Sequence, residues 1–282
     1  MTPVKITILV DNTALIGTYY RAEPAFSAWV EDGTTRILLD CGYSDALLHN
    51  ADAMGIDILT ADAIVFSHGH PDHTWGLIPV LERISRNASQ GREPGKLRFI
   101  GHPAAYWSRI RPGLPECGPL TGPDRLSAYG DVIGSREAMH ISDNLIFLGE
   151  IPSVFPFDQR EELGLLYTPD GPVPDLVPDD SAIVGKTEEG LVIIIPCAHA
   201  GICSVIEQAK RVTGEDRIRD VIGGFHLYQS SHDTITQVSS YLHRIRPVEL
   251  HPCHCTGRLA TVSFSDLLSL DETGVGTVLE YL

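Results

Sequence analysis

Two periodicities alternate along this chain, and between them they predict most of its elements. Short apolar runs bounded by Gly, Pro, Asp or Asn read as strands, and apolar residues recurring three or four apart read as helices. By this reading Lys5–Val10, Ala25–Val30 and Arg36–Leu39 are strands of an N-terminal sheet, with Asp32-Gly33 turning the last two into a hairpin. Ser44 caps a helix to Met54 that Gly55 closes. Ile64–Ser67 is a buried strand leading into a helix to about Ser85, and Leu97–Ile100 is the next strand. A second half repeats the style. It has strands at Ser181–Gly185 and Leu191–Ile195, a helix near Ile202–Val212 and a strand at Asp220–Ile222. A helix over Thr234–Ile245 and strands at Val248–His251 and Val278–Leu282 complete it. Between the halves, His102–Asp143 and Ile151–Asp180 are broken by Pro and Gly, including Pro152, Pro156, Pro169, Pro172, Pro174 and Pro178. They predict lid loops over about 103–180, carried on a single domain spanning 1–282.

Chemistry concentrates at the end of the Ile64–Ser67 strand. Ser67–Leu77 reads SHGHPDHTWGL, in which His68, His70, Asp72 and His73 form H-x-H-x-D-H. On a persisting strand His68 and His70 share a face, while Asp72 and His73 follow at the turn into a helix. The first pair suits one cation and the second pair another a few ångströms away; imidazole and carboxylate donors suit Zn²⁺, Fe or Mn²⁺. A lone histidine at a strand end is ordinarily a hydrogen-bonded structural residue, but four such groups in six positions are a metal site.

Composition narrows the class. The chain has 282 residues, 43% of them hydrophobic and 21% charged, as in an ordinary globular protein. Its net charge of −16, from 37 acidic against 21 basic residues, disfavours a polynucleotide groove and favours a small-molecule substrate. No apolar run approaches a bilayer's thickness, and the N-terminal one is short for a signal peptide, so a cytoplasmic protein without membrane or nucleic-acid partners is expected. The six cysteines lack a disulfide-scaffold spacing. Cys197, Cys253 and Cys255 are read as buried, unreactive thiols; alternate residues of an extended chain would turn Cys253 and Cys255, which flank His254, away from a ligating His254.

H-x-H-x-D-H at a strand end resembles the metallo-β-lactamase superfamily. So do Arg36–Gly42 (RILLDCG), Val192–Ser204 (VIIIPCAHAGICS), Val221–Leu227 (VIGGFHL) and Pro252–Gly257 (PCHCTG), in an order covering nearly the whole chain. CAHAGI, GGFHL and PCHCTG together look like its 7,8-dihydropterin-6-methyl-4-(β-D-ribofuranosyl)aminobenzene-5′-phosphate synthase-like branch. That branch's reaction joins a dihydropterin-methyl diphosphate to an arylamine and displaces diphosphate. The resemblance implies an α/β fold, a four-layer αββα sandwich. It adds His199 and His254 as metal ligands to His68, His70, Asp72 and His73, and implies one or two divalent transition-metal ions, Zn foremost, with Fe and Mn as alternatives. Where relatives place a bridging aspartate, this chain has His226. Imidazole does not normally bridge two ions, so His226 either ligates one ion or serves as a general acid/base, with Asp72 the other catalytic candidate.

Asp40 is read either as a carboxylate orienting a ligating imidazole or as a strand-end turn residue. Asp179 and Asp180 are further candidates to approach the centre, and His251 is read as structural. Trp75 and Phe225 either stack on a flat substrate or belong to the core. The helix start after His199 is read as an anion subsite. Function is accordingly expected to be metal-dependent catalysis on a small anionic metabolite, pterin-like compounds among the candidates, by hydrolysis or by diphosphate displacement. An iron-dependent redox enzyme and a metal-stabilised binding protein are the alternatives, and the oligomeric state is open.

Overall fold

The computed structural model describes residues 3–92, 95–158, 160–267 and 272–282. Its first strands are β1 (Val4–Val10), β2 (Ser27–Asp32), β3 (Thr35–Leu39), β4 (Ala63–Val65), β5 (Leu97–Gly101), β6 (Arg109–Ile110), β7 (Gly130–Gly134) and β8 (Met139–His140). Then come β9 (Leu145–Phe147), β10 (Leu165–Thr168), β11 (Gly171–Pro174), β12 (Ile183–Thr187), β13 (Gly190–Ile195), β14 (Ile218–Gly224), β15 (Glu249–Cys253) and β16 (Val278–Tyr281). The helices are α1 (Ala46–Ala53), α2 (Pro71–Thr74), α3 (Leu77–Ser89), α4 (Pro123–Leu126), α5 (Ile202–Thr213), α6 (His232–Ile245) and α7 (Arg258–Ser263).

Side-chain alternation builds the layers. A seven-stranded sheet runs β16-β1-β2-β3-β4-β5-β7 and a six-stranded sheet β15-β14-β13-β12-β9-β8. Ile37, Leu39, Ala63, Val65 and Ile100 of the first meet Leu145, Phe147, Ile183, Val192, Ile194 and Ile222 of the second in a shared core. On the outer faces, Leu38, Ile64 and Phe99 pack beneath α1 and α3, and Ile193, Ile195 and Val221 beneath α5 and α6. Each such aliphatic side chain, fully buried, contributes about 1.5–3 kcal/mol. The result is the four-layer αββα sandwich that the family resemblance implies.

Each sheet is antiparallel on one side and parallel on the other. Strands β3-β4-β5-β7 pair in parallel, as do β13-β14-β15. Residues just past the carboxyl ends of parallel strands converge on common crevices. Asp40, His68, His199, His226 and His254 all lie there.

Two expectations are corrected. The stretch about 103–180 is not all loop: β7 extends the first sheet, β8 and β9 the second, and β11-β10-β6 form a small third sheet. These strands are two to five residues long, and β7 is only half-buried, so none carries a clean apolar alternation. The helix after the metal motif is also split. A Cβ on Gly76 would sit 2.0 Å from the Cys41 carbonyl oxygen, and Gly76 N donates to Gly42 O, pinning the α2–α3 junction against the end of β3.

Candidate metal centre

The loop after β4 is held from behind. Pro71 occupies the first turn of α2, His70 is its extended N-cap, and Thr74 Oγ1 donates to His70 O at 2.9 Å. A Cβ on Gly69 would lie 2.6 Å from Ala105 O, so only glycine fits. Gly69 N donates to Asp179 Oδ2 at 2.8 Å. Asp179 in turn pairs with the fully buried Arg109, whose Nε also lies 3.3 Å from Asp175 Oδ2. Asp40 orients two imidazoles, as one sequence reading anticipates. Its Oδ2 lies 2.7 Å from His73 Nδ1 and accepts from Ser67 Oγ at 2.6 Å, and that hydroxyl lies 2.9 Å from His68 Nδ1. Holding Nδ1 leaves Nε2 of both rings for a cation.

The other histidines arrive singly. His199 follows β13, and Ala200 N donates to Asp180 Oδ2 at 2.7 Å. His254 follows β15; its N donates to Asp11 Oδ1 at 2.7 Å and its Nδ1 lies 3.0 Å from Asn12 Oδ1, which leaves Nε2 inward. Ala198, His226 and His254 share a positive φ with Asp40, four of the six non-glycine residues in that state among those described. Such strain gathers where surrounding structure imposes it for a purpose.

The geometry brings the sequence-predicted residues together. Ring centroids lie 4.6 Å apart for His68–His70, 4.7 Å for His68–His199, 4.8 Å for His70–His199 and 5.2 Å for His73–His254. Donor atoms of His68, His70 and His199 fall within 4.8 Å of one another, and so do those of Asp72, His73 and His254. Asp72 Oδ2 stands 3.5 Å from His73 Nε2 and 3.6 Å from His254 Nε2. The Nε2 atoms of His68, His73 and His254 are buried without a hydrogen-bond partner among the described residues. Buried polar atoms left in this way are what a divalent cation would satisfy. Burial pushes His68, His70 and His199 well below the ordinary imidazole range, keeping their lone pairs available. Burial also acts against charge on His73, yet Asp72 and Asp40 hold it at about 10. Burial likewise opposes ionisation of Asp72, which His73, His254 and His70 nonetheless hold well below the usual carboxylate range. The field at this second triad favours positive charge.

His226 sits on the His199 side, with ring centroids 4.1 Å apart, and its Nδ1 lies 3.5 Å from Cys197 Sγ. Burial lowers its basicity, but the Cys255 sulfur beside it raises the pKa above the usual value. Cys253 turns into the core between the sheets, whereas Cys197 and Cys255 face the site, their sulfurs 3.3 Å apart. The expected alternation fails because His254 at φ +47° breaks the extended chain, so Cys255 and His254 face the same side.

Other readings sort cleanly. His251 is buried against Asp220, Nδ1 to Oδ2 2.7 Å, as expected of a structural residue. Trp75 donates to Gly118 O and packs on Tyr43, and Phe225 is core, so neither offers a stacking face; Tyr228, at the cleft beside His226, does. The helix start after His199 is not an open anion subsite, because Asp158 Oδ2 already accepts from Cys203 N and Ser204 N. Sequence reasoning missed Arg109, Asp158 and Arg111, which no motif marks. Arg111 Nη2 lies 2.8 Å from His70 Nε2 at the mouth of a cleft of about 490 Å³ lined also by Asp72, Glu161, Tyr228 and His254. A neighbouring cavity of about 350 Å³ shares His199 and His226 with it.

These features match known proteins. The metallo-β-lactamase superfamily's family model covers residues 20–212, and the chain belongs to that superfamily, whose members bind divalent metal. The chain is 27% identical over 274 residues to 7,8-dihydropterin-6-methyl-4-(β-D-ribofuranosyl)-aminobenzene-5′-phosphate synthase of Methanocaldococcus jannaschii, covering 93% of this chain and 91% of that protein. It is 30% identical to an uncharacterised protein of the same organism, over 97% and 99% of the two chains. A crystal structure described as a metal-dependent hydrolase of the β-lactamase superfamily superposes with a TM-score of 0.80 at 27% identity, covering 98% of each chain. Among the described residues no helix is long and apolar enough to cross a membrane.

Proposed function

We propose that the protein is a metal-dependent enzyme acting on a small, phosphate-bearing metabolite. His68, His70 and His199 would hold one divalent ion and Asp72, His73 and His254 a second, zinc suiting this donor set best. The observation that carries the reading is the pairing of two donor triads, with three buried imidazole nitrogens that lack a hydrogen bond among the described residues, beside a cleft lined by Arg111. Bound ions of this kind supply a nucleophile at neutral pH and neutralise charge on the electrophile and leaving group.

The chain's own residues supply the rest. Arg111 is a fork-shaped donor placed for phosphate oxygens. A His70 ligating through Nδ1 carries its proton on Nε2, which cannot accept from a guanidinium, so Arg111 is freed for the substrate. His226, its Nδ1 against Cys197, presents Nε2 as the atom that takes up or returns a proton. Asp72 stays ionised and holds its edge of the site negative. Tyr228 offers a face to a flat ring.

Hydrolysis is the first reading this arrangement supports. Displacement of diphosphate by an arylamine is the second reading, favoured by the similarity to the Methanocaldococcus synthase. A screen of dihydropterin diphosphate with arylamine against simple phosphodiesters and lactones separates them. Turnover of phosphodiesters alone removes the transferase, turnover of lactones alone removes the phosphate-bearing substrate as well, and turnover of the diphosphate only with arylamine removes the hydrolase. Turnover of none by the metal-loaded protein contradicts the proposal.

A further inference from the structure

Cys197 belongs to neither triad, yet its donor atom groups with members of both. Its sulfur lies within 4.8 Å of the donors of His68 and His73, again with those of His199 and His226, and again with those of His254 and Cys255. His68 and His199 belong to the first triad, His73 and His254 to the second. The sulfur therefore stands between the two candidate ion positions. It is buried, on the turn that carries His199, and lines the same cleft. His68 Nε2 and His73 Nε2, on two rings grouped with this sulfur, are buried without a hydrogen-bond partner among the described residues.

We propose that the Cys197 sulfur, as thiolate, bridges the two ions, in the role for which this chain has no aspartate at 226. This rests on the two-ion reading above and deepens it. A thiolate sulfur has more than one lone pair to give, where each imidazole nitrogen has one. Zinc–sulfur bonds of about 2.3 Å and zinc–nitrogen bonds of about 2.1 Å place donors on a common ion no more than about 4.4 Å apart, so the sulfur needs only small adjustments to reach both. Coordination of a thiol to a divalent ion expels its proton to solvent. Cys255, 3.3 Å away, stands beside the bridge rather than in it. A sulfur at this position also biases the centre toward thiophilic ions such as Zn²⁺ and Co²⁺ over Mn²⁺.

The test is cobalt(II) loading of the full chain, followed by near-ultraviolet absorption and metal counting. Wild type should bind two cobalt ions and show a sulfur-to-cobalt charge-transfer band. Cys197→Ala should lose the band and hold its second ion at least about tenfold more weakly; Cys255→Ala should keep the band. Cys197→Asp should regain the second ion without the band, which separates a lost bridge from a misfolded variant. Two bound ions without a band, or a band that survives Cys197→Ala and vanishes in Cys255→Ala, would overturn the bridge alone. No cobalt bound by wild type would overturn the metal reading itself.

Discussion

The seven-stranded sheet delivers His68, His70, Asp72 and His73 from a single loop after β4, whereas the six-stranded sheet delivers His199, His226 and His254 from three separate strand ends. The first half is braced by charge: Asp40 ties His73 and, through Ser67, His68, while Asp179 and Arg109 hold Gly69. The second half is braced by backbone. Asp180 and Asp11 take main-chain N–H groups, and Ala198, His226 and His254 sit at positive φ. A compact motif needs carboxylates behind it to fix ring orientation. Dispersed ligands instead need each turn fixed by itself, and there local strain and single hydrogen bonds suffice.

That contrast breaks most readily at the buried ion network. Asp179→Ala strands Arg109 without its closest partner and frees Gly69, and should destabilise the fold by about 3–5 kcal/mol in denaturant titration. A loss below about 1 kcal/mol would mean the first loop does not depend on its charged brace. Asp40→Asn keeps an acceptor but removes the charge facing His73. Metal affinity should fall by about 10–100-fold in competitive chelation, with little change in folding cooperativity.

How far the sequence could be read follows the same division. The loop holding His68 to His73 is legible because its donors are contiguous and follow an apolar strand. The αββα layers are legible through the family resemblance that the strand-end motifs carry; the uniformly apolar Val192–Ile195 marks a buried strand, and only the structure shows it alternating between two cores. Cys255 was illegible as a site residue because the argument from alternation assumes an extended chain, and the positive φ at His254 removes that assumption. Arg109 and Arg111 lie in a Pro- and Gly-rich stretch whose short strands carry no periodicity, so nothing local marks them. For Trp75 and Phe225 the packing alternative holds rather than the stacking one: adjacency to a motif says nothing about which way a ring turns.

Smaller effects sharpen the comparison. Arg111→Ala should weaken inorganic phosphate binding to the metal-loaded protein by about tenfold in calorimetry, the size of a lost charge-assisted hydrogen bond. Unchanged affinity would move the anion subsite elsewhere. At the start of α5, burial raises the Asp158 carboxyl to about 6, against main-chain donors that favour its charge. A folded-state value above the unfolded one favours the protonated form on folding. That contribution is complete below about pH 4 and is lost as pH rises through about 6. Asp158→Asn should therefore flatten the fall in melting temperature between those pH values relative to wild type. Parallel pH profiles would refute it.

The central claim, a centre of two divalent ions shared between the sheets, is tested most directly by elemental analysis of protein purified without added metal, beside His70→Ala and Asp72→Ala. Wild type should carry transition metal, zinc foremost, approaching about two ions per chain when saturated. Each variant should lose a large part of it, together with the thermal stabilisation that the metal confers. Wild type devoid of metal and unresponsive to added zinc, or full retention in both variants, would contradict the account.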